Sequence, residues 1–154
     1  MDMGSGGHEM FGGYFFEDLS VGQSAAFSRT VTEADIVLFT AVSGDLNPIH
    51  VNEEYAKGTM FGGRIAHGIL TAALISAVLG NQLPGPGCIY LSQTLKFLAP
   101  VKAGDTVKAR ATVIELLPEK KRAVLRTECF VGGESVLDGE AVVLVPSRSD
   151  QTSS

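Results

Sequence analysis

The amino-acid sequence predicts an α+β domain. In it a long apolar helix at about 68–80 is wrapped by a curved antiparallel sheet, and a helix-loop segment at about 33–57 overhangs the helix. Three observations carry this. No residue from Gly68 to Gly80 is charged, and apolar residues cover every side of that stretch, so a helix there must be buried all round. Four runs after Ile89 alternate apolar with polar residues and are separated by turn chemistry, the mark of an antiparallel sheet. Between Thr32 and Lys57, cap residues open and close two short helical patterns around a stretch that contains a proline.

The 154 residues fit one domain, expected over 14–147 between flexible tails at 1–13 and 148–154. Tyr14–Leu19 leads into a turn at Val21-Gly22. Ala25, Phe27, Arg29 and Val31 then alternate with Ser24, Ala26, Ser28 and Thr30 as a first strand. Thr32 and Asp35 have capping-box spacing, and Ile36, Phe39, Thr40 and Ser43 repeat at helical intervals up to Gly44, a left-handed stop. Asn52 caps a further turn over Glu53–Lys57. Gly58–Gly63 follows no strand and lacks a Lys-Ser/Thr, which makes it a mobile wall loop and not a phosphate cradle.

The central helix would be about 20 Å long. Ile89, Leu91, Gln93, Leu95 and Phe97 share one face of the next run. Val107, Ala109, Ala111 and Val113 point inward from the second run, and Leu125, Thr127, Cys129 and Val131 make the third. Gly132-Gly133 is a hairpin signal ahead of Val136–Val145. A helix inside a wrapped antiparallel sheet resembles the hot-dog fold, whose sheet edges are commonly hidden by a second copy, so a homodimer is expected.

Composition excludes some classes. A net charge of −5 gives no global basic field for nucleic acid. The apolar stretch Ile69–Leu79 is too short to span a bilayer, which implies no membrane partner and a cytoplasmic protein. Cys88 and Cys129 lack partners at ligand spacing, so neither a metal site nor a disulfide framework is expected.

Chemistry concentrates in Ser43-Gly44-Asp45-Leu46-Asn47-Pro48-Ile49-His50, which sets a carboxylate and an imidazole five residues apart. The proline prevents one helix from running through both. Asp and His together move protons near neutral pH. Gly68 opens the central helix, where unpaired amides and the positive dipole end favour an oxyanion. Asn47 and Pro48 fix the loop.

This octapeptide, with Ala56 six positions past His50, resembles the signature of the MaoC-like (R)-specific enoyl-CoA hydratases, the hydratase 2 family. The resemblance continues through Arg64-Ile65-Ala66-His67-Gly68-Ile69-Leu70, Leu83-Pro84-Gly85, Tyr90-Leu91-Ser92-Gln93 and Phe97-Leu98-Ala99-Pro100-Val101, covering about 15–146. It implies reversible hydration of a trans-2-enoyl-CoA to an (R)-3-hydroxyacyl-CoA. Asp45 and His50 would hold the water, and Gly68, Ser76, His67 and Asn47 would serve the oxyanion and substrate. Coenzyme A would enter as part of the substrate, with no other cofactor and no metal. In an acidic protein its phosphates need local bases, for which Lys57, Arg64, Lys96 and Lys102 are candidates. The rival readings are a hot-dog acyl-CoA thioesterase and a non-catalytic acyl-thioester binding module.

Overall fold

A computed structural model describes residues 12–152. Strand β1 (Ser24–Thr30) leads to helix α1 (Glu33–Ser43) and the short helices α2 (Pro48–Val51) and α3 (Glu53–Lys57). Helix α4 (Gly68–Asn81) follows, then β2 (Ile89–Gln93), β3 (Lys96–Phe97), β4 (Thr106–Leu117), β5 (Arg122–Val131) and β6 (Glu134–Leu144). The strands form one sheet in the order β1-β4-β5-β6-β2, every pairing antiparallel, with β3 also on β6. Gly132 and Gly133 both take positive φ in the β5–β6 hairpin, as the tight right-twisted turn requires.

Alternation in the strands decides which face meets α4. Val107, Ala109, Ala111 and Val113 of β4 are buried together with Ala123, Leu125 and Cys129 of β5 and Leu137, Ala141 and Val143 of β6. Leu70, Leu74, Ile75, Val78 and Leu79 of α4 join the same core. A helix laid on one face of an antiparallel sheet is the hot-dog arrangement.

Three expectations are corrected. Helix α4 is not buried all round: Gly68, Ile69, Ala73, Ser76 and Gly80 are exposed along one side, because a single sheet covers only the opposite side. The run Ile89–Phe97 is not one strand but β2 and β3. Thr94 breaks it by turning its backbone and its hydroxyl toward Glu140, accepting the Glu140 N–H at 2.9 Å. Gly139 makes room, since a Cβ there would lie 1.9 Å from the Thr94 carbonyl oxygen.

The third correction is at the C-terminus, where 148–152 is a 3-10 turn and not a loose tail. Arg148 grips Asp18 with two hydrogen bonds of 2.7 and 3.0 Å, and Ser147 bonds Glu17. Residues 1–11 and 153–154 of the expected tails lie outside the described residues.

Candidate active site

Helix α1 delivers the chain to Asp45. Thr32 accepts from the Asp35 N–H at 3.1 Å while the Asp35 carboxylate accepts from the Thr32 N–H at 2.9 Å, closing the capping box. Asp35 also pairs with Arg29 of β1 at 2.6 Å. The Thr32 N–H, and after it the Arg29 guanidinium, hold the Asp35 carboxyl below its usual range. At the other end Gly44 takes φ +76° and stops the helix.

The next turn is built by side chains folding back on the backbone. Asp45 N–H donates to Ser43 Oγ (3.1 Å), Asn47 N–H to Asp45 Oδ1 (3.2 Å) and Ile49 N–H to Asn47 Oδ1 (3.1 Å). Asn47 thereby caps α2 with Pro48 at its first position, where the missing N–H costs nothing. The proline that prevents one continuous helix also opens a new one, so His50 sits on a helical turn and not in open loop. The Asn47 side-chain oxygen is thus committed to the backbone of α2.

His50 is fixed from the far side. Its Nδ1 lies 2.7 Å from the Ile65 carbonyl oxygen, which can only accept, so Nδ1 carries the proton and Nε2 of the neutral ring keeps a lone pair. That Nε2 lies 3.9 Å from Asp45 Oδ2. The gap is too long for a direct hydrogen bond and suits a small molecule that donates to both atoms. The His50 side chain is 10% exposed against 50% for Asp45.

His50, Gly68 and Thr71 share the wall of a cavity of about 440 Å³ with apolar neighbours that include Met60, Phe61, Phe97 and Val136. The Phe97 ring lies close over Gly68, where a Cβ would come within 2.6 Å of it. The first amides of α4 are therefore reachable in a largely apolar space.

Asp45 and the other residues singled out in the sequence are not on that wall. His67 is only 2% exposed and is the N-cap residue of α4, where its side chain makes no cap hydrogen bond. Ser76 is exposed on α4 and is also absent from the wall. Arg64 is not a free base: Glu33 at 2.9 Å and Glu53 at 3.1 Å hold its guanidinium, and the same two contacts, Glu33 first, raise its pKa. Lys57 pairs with Glu54 at 3.4 Å, and Lys102 donates to the Phe61 carbonyl at 3.0 Å. The Lys96 side chain, exposed on β3, has no ion pair or hydrogen bond among the described residues.

Asp45, His50 and His67 can each offer a metal ligand atom, all within 4.8 Å of one another. The two imidazoles are stacked, however, at 3.9 Å and 27°, which sends their in-plane lone pairs side by side and not toward one ion. Sequence reasoning missed the Ile65 carbonyl and Thr71. A backbone acceptor has no residue signature, whereas Thr71 did carry a signal as one of two hydroxyls in an apolar helix.

Residues 18–135 match the family described as MaoC like domain, most of the chain. The chain belongs to this family. Among MaoC-like relatives, it is 57% identical over 135 residues to an (R)-specific enoyl-CoA hydratase of Rhodospirillum rubrum, spanning 88% of this chain and 94% of that one. It is 53% identical over 136 residues to a 3-hydroxybutyryl-CoA dehydratase of Methylorubrum extorquens, spanning 88% and 87%. The unliganded R-hydratase PhaJ1 of Pseudomonas aeruginosa superposes with a TM-score of 0.83 at 47% identity, covering 88% of each chain.

Proposed function

We propose that this MaoC-like chain is an (R)-specific enoyl-CoA hydratase, adding water reversibly to a trans-2-enoyl-CoA of fatty-acid metabolism to give an (R)-3-hydroxyacyl-CoA. The observation that carries the reading is a pair of facing acceptors, Asp45 Oδ2 and His50 Nε2, 3.9 Å apart, with His50 on the wall of an apolar cavity. A water between them donates one O–H to each and turns its lone pairs outward. As its oxygen bonds to C3, His50 Nε2 takes one proton, and the adjacent carboxylate stabilises the imidazolium. Negative charge then gathers on the thioester oxygen, where the Gly68 amide at the start of α4 receives it. Protonation of C2 from the dyad completes the addition. Coenzyme A is part of the substrate, and no step needs another cofactor.

A homodimer belongs to the same reading. The exposed side of α4 and the outer edge of β2, where Ile89, Tyr90 and Leu91 are all exposed, support it as surfaces for a second copy. The test is a series of enoyl-CoAs from crotonyl to dodecenoyl chains, followed by loss of enoyl absorbance with chiral analysis of the products. Hydration to the (R) product is expected. An (S) product, or thiol release from saturated acyl-CoA without hydration, would sink the assignment.

A further inference from the structure

We propose that His67 is a positioning residue that sets the separation of Asp45 and His50, an inference that rests on the hydratase reading above. Its ring touches both, the backbone of Asp45 and the ring of His50, in a way no spacing rule reveals. His67 Nε2 is 3.1 Å from the Asp45 carbonyl oxygen and 3.4 Å from Thr40 Oγ1. The carbonyl can only accept, and the Thr40 hydroxyl already donates to the Ile36 carbonyl at 2.9 Å, so Nε2 carries the proton and bonds toward both oxygens. The same ring stacks on His50 at 3.9 Å and meets Phe39 at 4.8 Å. One side chain, rooted immediately before α4, thus holds the backbone that carries the carboxylate and the plane of the imidazole that faces it.

The two histidines are accordingly opposite tautomers, His50 protonated on Nδ1 and His67 on Nε2. With Nε2 donating, His67 Nδ1 is left as a buried lone pair with no partner among the described residues. A phenylalanine at this position would avoid that unfavourable burial. What the imidazole adds over a phenylalanine ring is its Nε2–H. Without that donor the loop of Gly44–Asn47 is released from α4, and the carboxylate drifts from the imidazole. The Gly68 amide and the apolar cavity, which bind substrate, are untouched.

The test compares His67→Phe, which keeps the ring and loses the donor, with His67→Gln, whose amide N–H reaches about as far as Nε2. For the Phe variant kcat should fall by roughly tenfold to a hundredfold, the scale of a slightly misplaced catalytic group, while KM stays within about twofold. The Gln variant should recover much of the loss. A Phe variant with wild-type kcat, or equal losses in both variants, would overturn the proposal. Imidazole nitrogen spectra of the wild-type chain, which has three histidines, give an arm independent of turnover. Nε2–H at His67 with Nδ1–H at His50 supports the proposal, and Nδ1–H at His67 overturns it even if a variant is poorly folded. Failure of the wild-type chain to hydrate any enoyl-CoA would instead count against the hydratase reading, leaving these spectra to decide the His67 bond.

Discussion

His50 can present a lone pair toward Asp45 because its other nitrogen is committed to the Ile65 carbonyl at 2.7 Å. Removing either member of the pair should therefore abolish proton transfer and leave the fold alone. Asp45→Asn and His50→Ala are each expected to lower kcat by at least about a hundredfold, the usual contribution of general acid-base help. Steady-state hydration rates with matched melting curves check this. Gly68→Ala probes the opposite wall. Its methyl group would come within 2.6 Å of the Phe97 ring, which is half exposed and can swing aside into the cavity. KM for enoyl-CoA should rise several-fold while the melting temperature moves by only a few degrees. The octapeptide around Asp45 is readable in sequence because turn formers, proline and cap residues each impose a local geometry. The orientation of His67 is not readable, since its partner is a main-chain carbonyl that any residue at position 45 would supply.

Among the elements, α1 is the one whose ends matter most, since its C-terminus sets the start of the Asp45 turn. Gly44 holds φ +76° and has open space where a methyl group would stand, with nothing within 4 Å, so Gly44→Ala meets only the backbone penalty of the left-handed conformation. That is about 1–2 kcal/mol, or roughly 2–8 °C in Tm for a chain of this size. At the N-terminus, the lowered pKa of Asp35 sets a sign. A carboxylate whose folded pKa lies below its ordinary value of 3.8 stabilises the fold above that value, and the stabilisation is lost as pH falls through the folded pKa. The urea midpoint of the wild-type chain should thus drop more between about pH 6 and about pH 3 than that of Asp35→Asn. Both ends of α1 follow from the capping pattern of Thr32, Asp35 and Gly44. The break between β2 and β3 does not, because it depends on Gly139 of a distant strand admitting the Thr94 carbonyl.

At the scale of the whole molecule, the hot-dog architecture is legible from one uncharged helix and four alternating runs, but the helix pattern overstates how much one chain can cover. Its all-round apolarity fits a helix buried on every side, yet Gly68, Ile69, Ala73, Ser76 and Gly80 are open. Strand β2 has the same problem in another form. Among the described residues it pairs only with β6, so one edge of N–H and C=O groups without strand partners lies beside exposed Ile89, Tyr90 and Leu91. An apolar helix face and an apolar strand edge on one molecule are a combination that stable monomers avoid. A second copy related by a twofold axis would pair the two β2 edges and cover both faces at once, within the roughly 1,200–2,000 Å² that a specific interface buries. Light scattering of the wild-type chain should then report twice the 16.2 kDa chain mass. Leu91→Lys places a charge on that edge, far from Asp45 in sequence and outside the cavity wall, and should shift the mass to that of one chain. A wild-type chain of single mass at micromolar concentration would rule out this interface.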